Sequence, residues 1–288
     1  MKKILVVLFC LLMIAGCTGG NENIEKKDLS SANTLKDFDG TKLAGQKGTI
    51  HGDLAQQINY ANFIEYSTVP DELIALKSGA VDGFICEEPQ AIKLTENDDS
   101  IIYIKLVNNS NGFKTTVEQS GLAIGCKKGS ELTENINQVL ADAKFDSSKQ
   151  SALMQEMVKV SLGQKVDLTV LDYDYIDSAE KVLKVGMECD SDPYNWTDVD
   201  ATVKNYPIEN NSGYFANGYD VQVSAYIASK LGMKLEVYAY EWESLIPAVE
   251  AGAIDAIIAG MSPTKERAEK IDFTNVYYDT NFVIVVNK

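Results

Sequence analysis

The pattern of hydrophobic and polar positions contains a weak internal repeat. Residues 79–85 (GAVDGFI) align with residues 252–258 (GAIDAII). Before each segment, apolar residues recur at helical spacing, and the first glycine of the segment is suited to end a helix. A small residue, an apolar residue and an aspartate follow the glycine and lead into a short apolar strand. The pattern therefore predicts one helix–strand unit in each of two halves of the chain.

We assign the two units to two α/β lobes. Lobe B (35–118) is predicted to contain strands at 42–46 and 62–66, a helix at 53–61, its repeat unit and a helix from Pro89. Lobe A (182–288) is predicted to contain strands at 183–187 and 235–240, a helix at 219–231, its repeat unit and a final strand at 282–286. Residues 119–162 are predicted to form a hinge strand (121–126) and two helices that separate near 146–148 and pack on lobe A, and 163–181 a linker.

Each repeat strand is followed by a polar or glycine-rich loop, at 86–89 (CEEP) and at 259–263 (AGMSP). Ligands of open α/β sheets bind beyond the carboxyl ends of the strands. Two such lobes facing each other predict a ligand cleft between these loops.

The first residues have the pattern of a secretion signal that ends in a lipidation site. Lys2 and Lys3 precede an apolar run at 4–14, which is short for a membrane span, and small residues lead to Cys17. We expect cleavage after residue 16, lipid attachment at Cys17 and a flexible tether at 17–34, which places the protein outside the cytoplasm on the cell membrane. An ordinary signal or an uncleaved anchor is the alternative.

Charge and cysteine content exclude several function classes. The formal net charge is −16, which disfavours nucleic acid or an anionic membrane surface as a partner. Three cysteines, Cys86, Cys126 and Cys189, remain for the mature chain, without metal-ligand spacing, and the single histidine is His51. We therefore expect no disulfide framework, no metal site and no cofactor.

Several motifs resemble the polar-amino-acid solute-binding proteins of ABC importers, the bacterial extracellular solute-binding proteins of family 3. The motifs similar to that family's first lobe are Leu183–Glu188, Pro193–Tyr194, Gly218–Val221, Glu241–Trp242, Ile254–Ser262, Arg267 and Ile271–Thr274. The stretches 46–49 and 82–89 resemble its second lobe, and 121–160 resembles its hinge strand and C-terminal helices. The resemblance implies an α/β fold of two Rossmann-like lobes joined by a hinge, the periplasmic-binding-protein fold of type II.

The order of the two lobes departs from the family. In the family the first lobe precedes the second, whereas this chain begins in the second lobe, so we interpret it as a circular permutant in which 163–181 joins the usual ends. Termini that lie close together at a surface make such a rearrangement tolerable. One covalent crossover, near 121–126, is expected to remain. A swapped dimer or a truncated tandem of half-domains is the competing interpretation.

A free amino acid needs a cation for its carboxylate, an anion for its ammonium group and walls for its side chain. Arg267, the single arginine of the chain, follows the 259–262 loop, and a guanidinium can hold a carboxylate through two parallel hydrogen bonds. Thr49, at the start of a predicted helix, is expected to offer its hydroxyl to the same carboxylate, and Ile50 beside it is predicted as a further ligand contact.

The resemblance assigns further ligand contacts. Gly260 and Ser262 would contact the ligand near Arg267, and Glu87 would bind the α-ammonium group, although the pair Glu87 and Glu88 could be reversed. Trp242 would form an aromatic wall. Glu188 would face a distal cationic or amide group.

The family's second aromatic wall is replaced here by Ser191, a gap that Tyr194 or Tyr214 could fill, and His51 could also touch the ligand.

These residues predict an extracytoplasmic binding lipoprotein that is not an enzyme. It would capture a polar amino acid between closing lobes and deliver it to an ABC permease in the membrane. A sensory lipoprotein is one alternative. A lyase or dehydratase on the same fold is the other, with Glu87 and His51 as the one plausible acid–base pair.

Overall fold

The described chain forms two α/β lobes, each built on a five-stranded sheet, which confirms the predicted fold class. The computed structural model describes residues 27–142, 145–174, 176–202 and 204–288. The predicted signal peptide (1–16) and Cys17 lie outside the described residues. No helix within the described ranges has the length and apolar character needed to cross a membrane.

The strands are β1 (Lys42–Gln46), β2 (Asn62–Tyr66), β3 (Gly83–Glu87), β4 (Ile101–Ile104), β5 (Gly121–Lys127), β6 (Val182–Met187), β7 (Asp190–Ser191), β8 (Asn195–Asp198), β9 (Tyr206–Pro207), β10 (Phe215–Asn217), β11 (Lys234–Ala239), β12 (Ala256–Ile257), β13 (Ile271–Asp279) and β14 (Phe282–Asn287). The helices are α1 (His51–Ala55), α2 (Val69–Ser78), α3 (Glu88–Asn97), α4 (Val117–Ser120), α5 (Glu131–Leu140), α6 (Ser147–Ser161), α7 (Tyr219–Leu231), α8 (Trp242–Ala251) and α9 (Lys265–Lys270). A 3₁₀ turn at Leu35–Phe38 precedes β1.

The sheets of the two lobes have related topologies. The lobe B sheet has the order β2-β1-β3-β14-β4, with β1 parallel to β2 and β3, and β14 antiparallel to both of its neighbours. The lobe A sheet has the order β11-β6-β12-β5-β13, in which β5 runs antiparallel to β12 and β13. A small sheet, β7-β8-β10-β9, extends lobe A. Each lobe has its own apolar core, and α5 and α6 pack on that of lobe A.

The internal repeat has a structural cause. Gly79 and Gly252 end α2 and α8 with φ values of 76° and 75°, a conformation that glycine adopts without steric cost. Asp82 then accepts a hydrogen bond from the backbone N–H of Lys42 (2.8 Å), and Asp255 accepts the equivalent bond from Lys184 (2.9 Å). The two aspartates therefore tie the repeat unit to β1 in lobe B and to β6 in lobe A in the same way.

The structure corrects the boundary between the lobes. The final strand, predicted to complete lobe A within 182–288, instead lies in the lobe B sheet between β3 and β4 as β14. Five of its six residues are buried, so an apolar run of this kind shows that a strand is central without showing which sheet contains it. The chain consequently passes between the lobes twice, at 105–120 and at 280–281, rather than at the single crossover predicted near 121–126.

Two further segments differ from the prediction. The helix expected at 53–61 is the short α1, since beyond Ala55 the backbone N–H groups of Gln57 and Ile58 bond to carbonyls three residues back, which does not continue the α-helical pattern. The described part of the predicted tether, 27–34, contacts lobe B, and Leu29, 5 % exposed, belongs to that core.

Candidate functional site

A pocket between the lobes lies beyond the carboxyl ends of β1, β3, β6 and β12. It is lined by all nine predicted ligand contacts: Thr49, Ile50, Glu87, Glu188, Ser191, Trp242, Gly260, Ser262 and Arg267. The lobes lie close together here. About 420 Å³ is free of protein atoms, solvent-facing space included, and only about 20 Å³ of it admits the centre of a water molecule. An amino acid therefore enters only if the lobes or the lining side chains move apart.

Arg267 is a buried cation at the lobe A side of this pocket. Its side chain is 8 % exposed, and its guanidinium donates to the carbonyl of Ser262 (2.8 Å) and, across the cleft, to the carbonyl of Gly48. The guanidinium lies 5.0 Å from the centre of the Trp242 ring. Burial lowers the pKa of Arg267 to about 10, and no carboxylate of the described residues forms an ion pair with it within 4.0 Å. The site thus holds a positive charge that an anionic group can neutralise.

Glu87 supplies a carboxylate from the lobe B side. It ends β3 and precedes α3, and its side chain is 15 % exposed. Its neighbour Glu88 is held elsewhere, because it accepts a hydrogen bond from the side chain of Asn281 (2.8 Å) at the second crossover. Of this pair, Glu87 is the one that faces the pocket.

Thr49 differs from its predicted environment. Helix α1 begins at His51 with Ile50 as its N-cap, and the Thr49 hydroxyl donates to the carbonyl of Gln46 (2.7 Å) while accepting from the backbone N–H of His51 (3.2 Å). A ligand carboxylate would have to compete with Gln46 for the hydroxyl proton. The environment of Thr49 differs from the prediction because its hydroxyl is hydrogen-bonded within the loop, and the sequence does not reveal those bonds.

Glu188 is a partly buried acid that lines the pocket from lobe A. Removal from water, followed by the charge of Asp190, raises the pKa of Glu188 to about 8, although Gln46 donates a hydrogen bond to it (3.0 Å). The group can therefore change charge near neutral pH, which suits it to respond to the charge of a neighbouring side chain.

Ser191 leaves the wall opposite Trp242 without an aromatic ring. Its hydroxyl accepts a hydrogen bond from Gln90 of lobe B (3.2 Å), so a polar pair occupies this side of the pocket. Tyr194 lines the pocket, with its ring against Gly260, whereas Tyr214 is 43 % exposed and does not line it. His51 does not line the pocket either; it lies behind Glu87.

A buried hydrogen-bond network fixes the lobe A side of the site. The backbone N–H of Gly260 donates to the hydroxyl of Tyr277 (3.1 Å), which donates to Asp220 (2.7 Å). Asp220 also accepts from Asn195 (2.9 Å), and burial raises the pKa of Asp220 to about 7. The network ties the pocket-lining Gly260 to β13 and to the start of α7.

Sequence reasoning missed three of the lining residues: Gln46, Gln90 and Ala259. Gln46 and Ala259 could have been found, because each adjoins the carboxyl end of a predicted strand. Gln90 lies in the first turn of α3, and no residue pattern there indicates which side chain faces the pocket.

The cysteines give no second site. Cys86, Cys126 and Cys189 are buried thiols, and burial raises the pKa of each. The parts of the chain that the structure describes contain no cluster of three or more histidine, cysteine or acidic side chains that could hold a metal ion.

Comparison with known proteins identifies relatives of part of this chain. Residues 183–288 match the family model of the bacterial extracellular solute-binding proteins, family 3, which confirms the predicted resemblance for this part of the chain. The arginine-binding extracellular protein ArtP of Bacillus subtilis is 32% identical over 112 residues, 39% of this chain and 38% of ArtP. An L-arginine-binding protein of Pseudomonas aeruginosa is 29% identical over 124 residues, 43% of this chain and 42% of the relative.

A crystal structure of the substrate-binding protein of an amino acid ABC transporter is 35% identical over the matched part. The match covers 33% of this chain and 38% of that chain, with a TM-score of 0.28. The chain thus spans about two fifths of the length of the curated relatives that it matches.

Proposed function

We propose that this chain is an extracytoplasmic solute-binding protein that captures a polar amino acid between two closing lobes and delivers it to the membrane permease of an ABC importer. The observation that supports this most strongly is the pairing of Arg267, a buried cation without a carboxylate partner among the described residues, with Glu87 on the facing lobe of the same pocket. A zwitterionic amino acid matches that arrangement, with its carboxylate on Arg267 and its ammonium group on Glu87.

The acidic end of the pocket favours a cationic side chain. Glu188 lines it, and the charges of Asp190, Glu241 and Glu87 all raise the pKa of Glu188. A lysine-like or arginine-like group beside these acids would neutralise them, and the face of Trp242 can contact a cation or an aliphatic chain. Two relatives that match about two fifths of this chain are named as arginine-binding proteins, which agrees with this choice.

Direct contacts between the lobes support a closing mechanism. Gln46 contacts Glu188, Gln90 contacts Ser191, and Lys93 forms an ion pair with Asp192 (2.5 Å). Two lobes that touch around a pocket are expected to exchange between open and closed states. A ligand that contacts both lobes stabilises the closed state by its differential affinity, and a permease can recognise that state.

Lipid attachment at Cys17, and with it a position on the outer face of the cell membrane, belongs to the same proposal. It depends on the sequence pattern at 1–17 alone. Circular permutation likewise remains our interpretation of the lobe order.

The enzyme alternative predicts turnover of the bound molecule. Its acid–base pair would be His51 and Glu87, which lie 3.6 Å apart, but His51 is 2 % exposed and does not line the pocket. Proton transfer to a substrate needs a group within hydrogen-bond reach of it. The geometry therefore favours binding over catalysis.

A thermal-shift screen of the chain against the twenty L-amino acids tests the proposal. One or a few polar amino acids should raise the melting temperature by about 5–10 °C at about 100 times the dissociation constant, because they bind only the native state. Arg267→Ala should abolish this shift. Lys265→Ala, which removes an exposed charge from the same helix, should retain it. No shift with any amino acid, or equal shifts in both variants, would contradict the proposal.

A further inference from the structure

His51, the single histidine of the chain, is buried next to Glu87 and has no role in the pocket described so far. Its side chain is 2 % exposed, it adjoins the pocket-lining Ile50, and its ring packs edge-on against Phe282 at a centroid distance of 6.0 Å. Burying an imidazole here lowers the stability of the fold unless its ring nitrogens form hydrogen bonds.

The hydrogen bonds of His51 fix which nitrogen carries the proton. The backbone N–H of Gln46 donates to Nδ1 of His51 (3.2 Å), so Nδ1 presents a lone pair. The proton of the neutral ring is consequently on Nε2. Nε2 is buried and has no hydrogen-bond partner among the described residues.

The group that faces this buried donor is the carboxylate of Glu87. Nε2 lies 3.6 Å from Oε1 of Glu87, slightly beyond hydrogen-bond distance. A shift of about half an ångström would satisfy both groups, since the N–H donor would then reach a charged acceptor. The pocket face of Glu87 stays free, because His51 approaches from behind it.

We propose that His51 is a positioning residue, whose Nε2–H orients the carboxylate of Glu87 toward the α-ammonium group of the bound amino acid. The inference rests on the proposed function, because it assigns a partner to the residue that would bind the ammonium group. Gln46 extends the arrangement: its backbone N–H donates to His51 while its side chain donates to Glu188 (3.0 Å), which also lines the pocket. The end of β1 thereby contacts His51 and one of the two pocket carboxylates directly.

Two substitutions separate this role from a purely structural one. The amide oxygen of His51→Asn can still accept the Gln46 N–H but the side chain is too short to reach Glu87. The longer His51→Gln can donate to Glu87 but does not place an acceptor at the Nδ1 position. Binding is measured by calorimetric titration with L-arginine or, if L-arginine does not bind, with the L-amino acid that stabilises the unaltered chain most.

His51→Asn should weaken binding about tenfold, the loss of one charge-assisted hydrogen bond, while His51→Gln should stay within about threefold of the unaltered chain. In the Glu87→Gln background, His51→Asn should cause little further loss, because the contact is already removed. Melting temperatures of all variants identify any that fail to fold. A larger loss in His51→Gln than in His51→Asn, or additive losses with Glu87→Gln, would overturn the inference while the proposed function stood.

A spectroscopic measurement covers the case in which both variants fold poorly. Because the chain has one histidine, its imidazole ¹⁵N signals in the untagged protein are unambiguous. The neutral ring should be protonated at Nε2, and the Nε2–H proton signal should move downfield when the amino acid is added and the bond to Glu87 shortens. A ring protonated at Nδ1, or a signal unchanged by a bound amino acid, would overturn the inference. If the unaltered chain binds no amino acid, the proposed function fails and the inference with it.

Discussion

Glu188 is the residue whose charge should report on the ligand. The raised pKa of Glu188, about 8, means that its carboxyl group is mostly protonated at pH 7 in the unliganded chain. A cationic ligand side chain would favour the ionised form, so binding of L-arginine at pH 7 should release up to about one proton, and apparent affinity should rise between about pH 6 and pH 8.5.

Calorimetric titration in two buffers of different ionisation enthalpy measures this proton release. Glu188→Gln is the matched variant and should bind L-arginine more weakly, with no proton release from this site. Tight binding of L-arginine with no proton exchanged would show that Glu188 does not face the cationic group.

Glu72 lowers the stability of lobe B at high pH. Its side chain is fully buried on α2, both carboxylate oxygens are unpartnered among the described residues, and burial raises the pKa of Glu72 well above its usual value. The native state therefore binds more protons than the unfolded state above about pH 4.5, so the free energy of unfolding falls as pH rises.

Glu72→Met removes this penalty while keeping the volume of the side chain. At pH 8 its melting temperature should exceed that of the unaltered chain by about 3 °C or more, and the difference should shrink toward pH 5. Glu65→Gln, at an exposed position of the same lobe, should change the melting temperature by less than about 1 °C. A lower melting temperature for Glu72→Met at pH 8 would contradict this account.

At the residue scale, the sequence predicts a pocket residue where a single chemical feature identifies it. Arg267 is identified as a ligand contact because it is the single arginine and follows a strand-end loop, and in the structure it lines the pocket. The hydrogen bonds of Thr49 and the direction of the His51 side chain could not be predicted from the sequence. Both depend on hydrogen bonds to the backbone of Gln46, which form only in the folded loop.

At the scale of elements, the contacts between α3 and the loop after β7 should help hold the lobes together. The Lys93–Asp192 ion pair has side chains only 19% and 28% exposed, whereas Lys47–Glu243, which also spans the lobes, is 53% and 67% exposed. A partly buried pair is screened less by water and salt than an exposed one.

Lys93→Met should therefore weaken amino-acid binding by about two- to fivefold, mainly through faster dissociation, because the closed state loses a contact. Lys47→Met serves as the control and should change the affinity by less than twofold. Stopped-flow measurement of the dissociation rate distinguishes the two variants. Equal effects of both substitutions would argue against a holding role for α3.

The elements differ in how well their sequence pattern predicts them. Helix α7 was predicted with its observed bounds, 219–231, because it begins after Gly218 and ends at Gly232 with φ +65°. Strand β14 was predicted as a strand but assigned to the wrong lobe, since a fully apolar strand has no face that identifies its sheet. Strand β13 was missed because its apolar residues do not alternate regularly, and its pairing with β5 contains register shifts.

At the scale of the whole molecule, the lobe order is the unusual feature. The ends of the described chain lie near each other, because residues 27–29 and 286–288 line one surface depression of lobe B. The described residues of 163–181, the segment that would join the family's usual ends, contain no helix or strand. Both facts agree with a permuted family fold.

A reordered chain tests the permutation. Residues 27 and 288 would be joined by about five glycine and serine residues, and new ends opened within 163–181. If the natural chain differs from the family only in the order of its lobes, the reordered chain should fold as a monomer and bind the same amino acid within about threefold of the original affinity. A reordered chain that binds only as a dimer would favour a swapped half-domain arrangement.

A crystal structure of the chain with the amino acid selected by the thermal-shift screen tests most directly whether Arg267 and Glu87 hold an amino acid between the lobes. We predict the ligand carboxylate at about 2.7–3.1 Å from the Arg267 guanidinium and the α-ammonium group at a similar distance from Glu87, with the side chain directed toward Glu188. A ligand bound outside this pocket, or bound in the pocket with its ammonium group directed away from Glu87, would contradict the account.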